Sequence, residues 1–260
     1  MSQPDNTDRF TGLADIYAEH RPTYPADVVE ALVDRANAAD VPKVAIDIGC
    51  GTGIATLLLA KAMPDWAITA AEPNADMLEK ARVTLAAQPN VSFANAGAEA
   101  LPLDDKNAGL VLAAQALHWF DMGKFFAEAA RVLPPGGTLA ILYNNRQTAV
   151  SVVLAEIESY LESIDPSYSR NYRARDIPAL LGSLEAFENV ERSRNVWLKP
   201  TSTDDLVNYF MSRSMLQPLA QKVGIAKLRH RIGDIADEHA RAGMIDIPFA
   251  TELDLASRRA

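Results

Sequence analysis

The chain has 260 residues, 48% hydrophobic and 23% charged, enough apolar material for one sizeable α/β domain with an insertion or for two small domains. A formal net charge of −9 excludes a broad phosphate-neutralising surface, so neither nucleic acid nor an acidic membrane is an expected partner. One cysteine, Cys50, excludes an internal disulfide framework and a cysteine-rich zinc site, and with the polar start "MSQPDNTDRF" and no run of 18 apolar residues the expectation is a soluble, cytoplasmic protein.

In chain order, Phe10, Leu13, Tyr17 and Arg21 fall at roughly helical spacing until "RPTYP" breaks the run. Val28, Val29, Leu32, Val33 and Ala36 mark an amphipathic helix starting near Pro25, a residue suited to a first helical turn. Two lid helices are therefore expected over residues 1–40. Strands and helices then alternate over residues 41–146. The pattern predicts a strand near Lys43 to Ile48, a helix from about Ile54 to Met63, a strand near Ala67 to Ala71, and a helix capped by Asn74 through "ADMLEKARVTLAAQ". "VSFANA", "GLVLAAQ" and "GTLAILYN" read as further strands, with "MGKFFAEAARVL" as a helix between the last two. Such alternation predicts a mostly parallel sheet covered by helices on both faces.

The second half changes character. Residues 147–185 read as helix, polar loop and short helix, a helical cap over the ligand end of the sheet. The Tyr and Arg residues of "SYSRNYRARD" fit a solvated cap face better than a substrate clamp. Residues 186–260 are expected to complete the sheet within the same single domain: a strand near Val190 to Leu198, "STDDLVNYFMSRS", and one long helix through His230. Ile245, Ile247, Phe249, Leu253 and Leu255 then alternate as in an antiparallel strand, where Pro248 demands a bulge or an edge position.

The chemistry concentrates in "VAIDIGCGTGIATLLLAKA", from Val44 to Ala62. Gly49, Gly51 and Gly53 sit between a β-branched run and a helical run, the arrangement that brings bare backbone against a nucleotide. Their spacing is G-x-G-x-G, one residue short of the dinucleotide fingerprint, and no Lys-Ser/Thr pair follows as a P-loop requires. Asp47 precedes the glycines, and Glu72 ends the next apolar strand, where an acidic side chain accepts hydrogen bonds from both ribose hydroxyls of an adenosine. The ligand thus contains adenosine and need not contain phosphate.

"IDIGCGTG", "AEPNADML", "AGAEALPL", "AQALHWFD" and "RVLPPGG", in this order, resemble the class I S-adenosylmethionine-dependent methyltransferases of the small-molecule branch, strongly over residues 10–145 and weakly beyond. The opening "YAEHRPTYP" is similar to the trans-aconitate methyltransferase-like subgroup. The resemblance implies a Rossmann-like, mostly parallel seven-stranded sheet and S-adenosyl-L-methionine as cofactor, with S-adenosyl-L-homocysteine as product. It places Gly49, Gly51 and Gly53 against the cofactor, with Asp47 near its methionine amino end. Glu72 would hold the ribose, and Pro73 and Met77 would flank the adenine. Where many relatives carry Asp this chain has Gly97, so the adenine amino group falls to the Ala98 backbone and Glu99. Gln115 and Ala116 would lie beside the methionine moiety, with Tyr17 and Arg21 closing over it and Arg21 pairing with its carboxylate.

Since the sulfonium already makes the methyl carbon electrophilic, the protein has chiefly to align a nucleophile and exclude water. His118 and Trp119, after the fourth strand, are expected at the substrate, with His118 as a general base if the acceptor carries a proton or as an aromatic wall if it does not. Tyr143, Asn144 and Asn145 end the fifth strand and either line the pocket or satisfy turn backbone. Cys50 reads as a small residue fitting between two glycines. No His/Asp/Glu spacing indicates a metal. The expected reaction is O-, N- or C-methylation of a small molecule, carboxylate or hydroxyl favoured, by a monomer or homodimer. A non-catalytic binding protein on the same fold is the alternative of a different class. Methylation of a macromolecule is a further alternative, though "AAQALHW" lacks the Asn/Asp-Pro-Pro-aromatic run that binds a planar amino group in base methylases.

Overall fold

A computed structural model describes residues 20–260. Phe10, Leu13 and Tyr17, and with them the first expected helix, lie outside the described residues. The elements run α1 (Ala26–Asn37), β1 (Val44–Ile48), α2 (Ile54–Ala62), β2 (Ala67–Ala71), α3 (Ala75–Thr84), β3 (Val91–Ala94), β4 (Leu110–Ala114), α4 (Met122–Val132) and β5 (Thr138–Arg146). After these come α5 (Val152–Ile164), α6 (Ile177–Gly182), β6 (Phe187–Ser202), α7 (Thr203–Met211), α8 (Gln217–Val223), α9 (Ile225–His239) and β7 (Met244–Arg258).

One seven-stranded sheet has the order β3-β2-β1-β4-β5-β7-β6. The first five strands are parallel, and β7 is antiparallel to both β5 and β6. The expected Rossmann-like sheet is therefore present, with the two C-terminal strands adding an antiparallel edge. Residues of β4 alternate between two layers: Val111 and Ala113 pack with Phe125 and Ala129 of α4, while Leu110 and Leu112 pack with Leu32 of α1 and Leu59 of α2. Strand order reverses between β1 and β4, and the crevice beyond their carboxyl ends is the switch point where open α/β sheets bind ligands.

Asn74 caps α3 as expected, its side-chain oxygen accepting from the Met77 amide at 3.0 Å. One reading needs correction. The single long helix before β7 is two, because Gly224 takes φ +88° and separates α8 from α9. Pro248 takes the edge alternative: it sits in unbroken register opposite Leu198 with no bulge, β5 pairing stops one residue away at Phe249, so no ladder bond there needs the N–H that proline lacks, and its carbonyl accepts from the Gln147 amide. The irregularity falls in β6 instead, between Glu188 and Glu191. The cap, finally, has a core of its own, in which Leu154, Ile157 and Leu161 of α5 meet Phe210 of α7, Ile232 of α9 and Phe249 of β7. Among the described residues no helix is long and apolar enough to cross a membrane.

Candidate functional site

The site begins where β1 ends. Gly49, Gly51 and Gly53 all have positive φ (67°, 56° and 87°), a region costly for side-chain-bearing residues. At Gly49 there is also no room: a Cβ would lie 2.7 Å from Ala116 Cβ. The loop is tied to β2 by the Gly49 and Cys50 amides, which donate to the Ala71 carbonyl. Glu72 completes the tie, its Oε2 accepting from the Gly51 amide and its Oε1 from the Asn74 amide, each at 3.0 Å. Burial raises the Glu72 carboxyl above the ordinary range.

A cavity of about 1100 Å³ opens above this loop. It is lined by Gly49, Gly51, Glu72, Pro73, Met77, Ala98 and Glu99 from the segments at and after β1, β2 and β3, by Gln115, Ala116, His118, Trp119 and Asn144 from β5 and the segment after β4, and by Arg21 and Tyr209. Thirteen separately chosen positions from the sequence reading thus meet in one space, the list being Arg21, Gly49, Gly51, Glu72, Pro73, Met77, Ala98, Glu99, Gln115, Ala116, His118, Trp119 and Asn144. Asp47, Gly53 and Tyr143 do not line it. Asp47 lies fully buried beneath the loop, accepting from Thr56 Oγ1 at 2.6 Å, and burial pushes its carboxyl up to about 7. Gly53 starts α2 and has Leu85 pressed against it. Tyr143 stands behind His118, its hydroxyl accepting from the His118 amide at 3.2 Å and lying 3.3 Å from His118 Nδ1.

Several of the lining side chains are already engaged. Glu99 Oε1 accepts from the Asp121 amide, fixing the start of α4. Asn144 donates to the Thr23 carbonyl at 3.0 Å and accepts from Thr251, so it pins the segment leading into α1 to the end of β5. Arg21 donates to the Ser212 carbonyl and lies over the Tyr209 ring. Gln115 has φ +59°, unusual for a residue with a side chain and placed where β4 reaches the cavity. Asn145 turns away and donates to Glu252.

The reading of residues 168–175 as a solvated face holds for Arg175, which is exposed, and fails for Tyr168, Tyr172 and Arg173. Tyr168 is only 5% exposed, and its hydroxyl donates to Glu158 at 2.6 Å. Tyr172 sets its ring edge-on to His118 at 5.6 Å, and Arg173 reaches inward to donate to Gln115 Oε1 at 2.5 Å. The loop turns inward because buried partners wait for it: Glu158 of α5, Arg146 at the end of β5, and Tyr209 and Arg213 in and after α7. Sequence reasoning missed these four. One signal was available, since Glu158 interrupts the apolar stripe of Leu154, Ile157 and Leu161 on α5, and a carboxylate inside such a stripe needs a buried partner.

This ring of guanidinium groups sets the local electrostatics. Burial and the charges of Arg173, Arg21 and Arg175 hold the His118 imidazole well below its usual pKa, so the ring is neutral at physiological pH. Burial opposes ionisation of Tyr172, but the charges of Arg173, Arg213, Arg146 and Arg21 outweigh it and bring the phenol down to about 7. Tyr209 is likewise lowered, the charges of Arg146, Arg21 and Arg213 prevailing over its burial.

Residues 46–141 match the family model described as a methyltransferase domain. An uncharacterized methyltransferase of Mycobacterium tuberculosis is 32% identical over 213 residues, covering 82% of this chain and 79% of that one. A malonyl-[acyl-carrier protein] O-methyltransferase of Hahella chejuensis is 34% identical over 142 residues, 54% of this chain and 48% of its own. Among solved structures, a proposed type II methyltransferase of Anaeromyxobacter dehalogenans superposes with a TM-score of 0.63 at 24% identity, over 92% of this chain and 97% of that one. Phosphoethanolamine N-methyltransferase 2 of Haemonchus contortus, solved with S-adenosyl-L-methionine, gives 0.56 at 16% identity, over all of this chain and 60% of its own. The narrower likeness to trans-aconitate methyltransferase-like enzymes rests on the opening segment alone, and none of these proteins bears on it.

Proposed function

The chain belongs to the class I S-adenosylmethionine-dependent methyltransferases, and from that premise we propose that it methylates an oxygen of a small acidic acceptor, a carboxylate before a hydroxyl. The observation that carries this reading is one cavity lined both by a backbone-rich glycine loop with the Glu72 carboxylate and by the cations Arg21 and Arg175 with the His118 ring. Its volume slightly exceeds that of a pocket for one drug-sized ligand, which leaves space for a cofactor and a small acceptor together.

The residues present fit S-adenosylmethionine. Bare backbone at Gly49 occupies a cradle that a side chain would close, and a carboxylate at the end of β2 faces the same space. In this reading Glu72 holds the ribose hydroxyls, Pro73 and Met77 flank the adenine, and Ala98 and Glu99 meet its amino edge. Gln115 and Ala116 lie along the methionine moiety, whose carboxylate pairs with Arg21, and Tyr17 closes over it. Asp47 acts from below by holding the loop through Thr56, and Gly53 by starting α2. When bound, the cofactor supplies a methyl carbon made electrophilic by its sulfonium.

The remaining work is positioning. Trp119 and Phe120 wall the transfer region and keep water from it, while His118, steadied by Tyr143, gives one face against which an acceptor oxygen is aligned. A carboxylate reaches this region already ionised, so no base is required. We expect His118→Ala to lower kcat by less than about tenfold, short of the 10²–10⁴ that a general base contributes. The wild-type kcat profile should accordingly show no acidic limb that His118→Ala removes. A larger loss together with such a limb, absent in the variant, would make His118 the base and the acceptor a protonated group.

Calorimetric titration with S-adenosylmethionine and S-adenosylhomocysteine tests the cofactor. Incubating cell extract with methyl-labelled cofactor and the enzyme tests the acceptor. The expected label sits in small acidic compounds and is released by mild base, as from a methyl ester. Base-stable label would point to a hydroxyl, amine or carbon acceptor, and label in protein or nucleic acid would overturn the small-molecule reading.

A further inference from the structure

Arg173 is a half-buried cation with no carboxylate partner among the described residues. Its Nε donates to the Tyr172 hydroxyl at 2.7 Å and its Nη1 to Gln115 Oε1 at 2.5 Å, and no carboxylate lies within ion-pair distance among the described residues. Arg146 and Arg213 share Glu158 at 2.9 and 3.0 Å, and Arg170 takes Glu162 at 2.6 Å, so the nearby carboxylates are spent on other partners. A half-buried guanidinium with no carboxylate partner is held at a cost and persists where the charge has a use. Its place fits a use: Gln115 lines the cavity where β4 ends, and Arg173 stands directly behind that side chain and 5.8 Å from the Tyr143 ring.

From this arrangement we infer that Arg173 is the anchor for an oxyanion of the acceptor, and that Tyr172 is the internal acceptor which that oxyanion displaces. The inference deepens the methyltransferase reading of the cavity and rests on it. The planar fork of Arg173 matches a carboxylate or a phosphoryl group, either of which takes two parallel N–H bonds in place of one phenol and one amide oxygen. An acceptor carrying one oxyanion at Arg173 and a second oxygen at the transfer region is thereby favoured over a singly charged one.

Tyr172 makes the exchange visible. The groups facing it are Arg173 on its own loop, Arg21 from the N-terminal segment, Arg146 of β5, Arg213 after α7, and the neutral His118, with Tyr143 and Tyr209 beyond and Glu158 already paired. Four cations against one carboxylate draw the phenol towards its ionised form, about 7 in the free protein. An oxyanion at Arg173 cancels part of that field and raises the phenol, so binding takes up a proton above pH 7. The sign follows: affinity for the oxyanion is full below the free-state value and falls as pH rises through it, by up to tenfold per pH unit.

The test uses the full chain with S-adenosylhomocysteine added, and succinate and inorganic phosphate as probes. Absorbance near 295 nm should show a tyrosinate step with a midpoint near 7 that Tyr172→Phe removes and that the binding probe moves to higher pH. By calorimetry, Arg173→Gln should weaken that probe at least tenfold while the melting temperature and S-adenosylhomocysteine affinity stay close to wild type. Arg173→Lys, which keeps the charge and loses the fork, should fall between and serves if the glutamine variant does not fold. Tyr172→Phe should lose the decline in probe affinity above pH 7. Succinate binding alone would assign a carboxylate, and phosphate binding alone a phosphoryl group. The inference is overturned if neither probe binds, if binding ignores both Arg173 variants, or if the tyrosinate step survives Tyr172→Phe. Failure to bind S-adenosylhomocysteine at all would instead undo the methyltransferase reading of the cavity.

Discussion

Glu158→Ala should remove about 3 to 5 kcal/mol of folding stability, the cost of stranding buried charge when one partner of an ion pair is deleted. The side chain is fully buried on α5, with Oε1 accepting from Arg146 and Arg213 and Oε2 from the Tyr168 hydroxyl. Three segments meet on this one carboxylate: the end of β5, the turn after α7, and the inward cap loop. Its removal leaves two guanidinium groups facing each other in a site from which water is largely excluded, where repulsion and desolvation act together. Denaturant unfolding of wild type, Glu158→Ala and Glu158→Gln measures the cost, the glutamine variant lying between because it keeps an acceptor oxygen without the charge. A loss below about 1 kcal/mol for alanine would show that both arginines find water and that the cap opens readily.

The same carboxylate gives this stability a pH dependence. Burial works against its ionisation, but the charges of Arg213 and Arg146 and the bonds from Tyr168 and Arg146 outweigh it and hold Glu158 below the ordinary glutamate value. The unfolded chain therefore binds the proton first as pH falls. The stabilisation is complete above the unfolded value, about 4.3, and is lost as pH drops through the lower folded value. Glu158→Gln should flatten that acid limb.

What the sequence revealed and what it hid divide along the distance between cooperating residues. The glycine turn, Glu72 and the cap at Asn74 are local statements: an apolar strand, a forced positive φ and a side chain one element later are each visible in a short window. Gln115 and His118 were legible for the same reason, as the residues that follow a buried β4. The acceptor end is built otherwise. Arg146, Tyr172, Arg173, Tyr209 and Arg213 come from separate stretches, and none sits in a pattern that marks it as buried. Arginine and tyrosine in a polar loop are normally solvated, and here tertiary packing overrides that expectation because Glu158 and Gln115 offer buried acceptors. The same contrast explains the helix before β7, whose periodicity spans a glycine that only the folded chain places at φ +88°.

Glu72→Ala should weaken S-adenosylmethionine binding by about 1.5 to 3 kcal/mol, roughly 10- to 150-fold in Kd, while the fold survives. The magnitude is that of hydrogen bonds to a charged group, here the proposed pair from the ribose hydroxyls. The fold survives because the side chain takes with it only two bonds, from the Gly51 and Asn74 amides, and α3 keeps its own cap through Asn74 Oδ1. The loop itself stays fastened to β2 by the Gly49 and Cys50 amides on Ala71. Burial raises the Glu72 carboxyl, so its charged form is held at a cost that hydroxyl donors offset on binding. Binding therefore favours the ionised carboxylate, and affinity should rise with pH until Glu72 is fully ionised in the free protein, then level off. Titrating wild type and variant from pH 5 to 8 separates this from a steric effect, because Glu72→Ala should lose the rise as well as the affinity. Unchanged affinity in a folded Glu72→Ala variant would take Glu72 away from the ribose, and a retained rise would move the titrating group to its buried neighbour Asp47, whose carboxyl lies near 7.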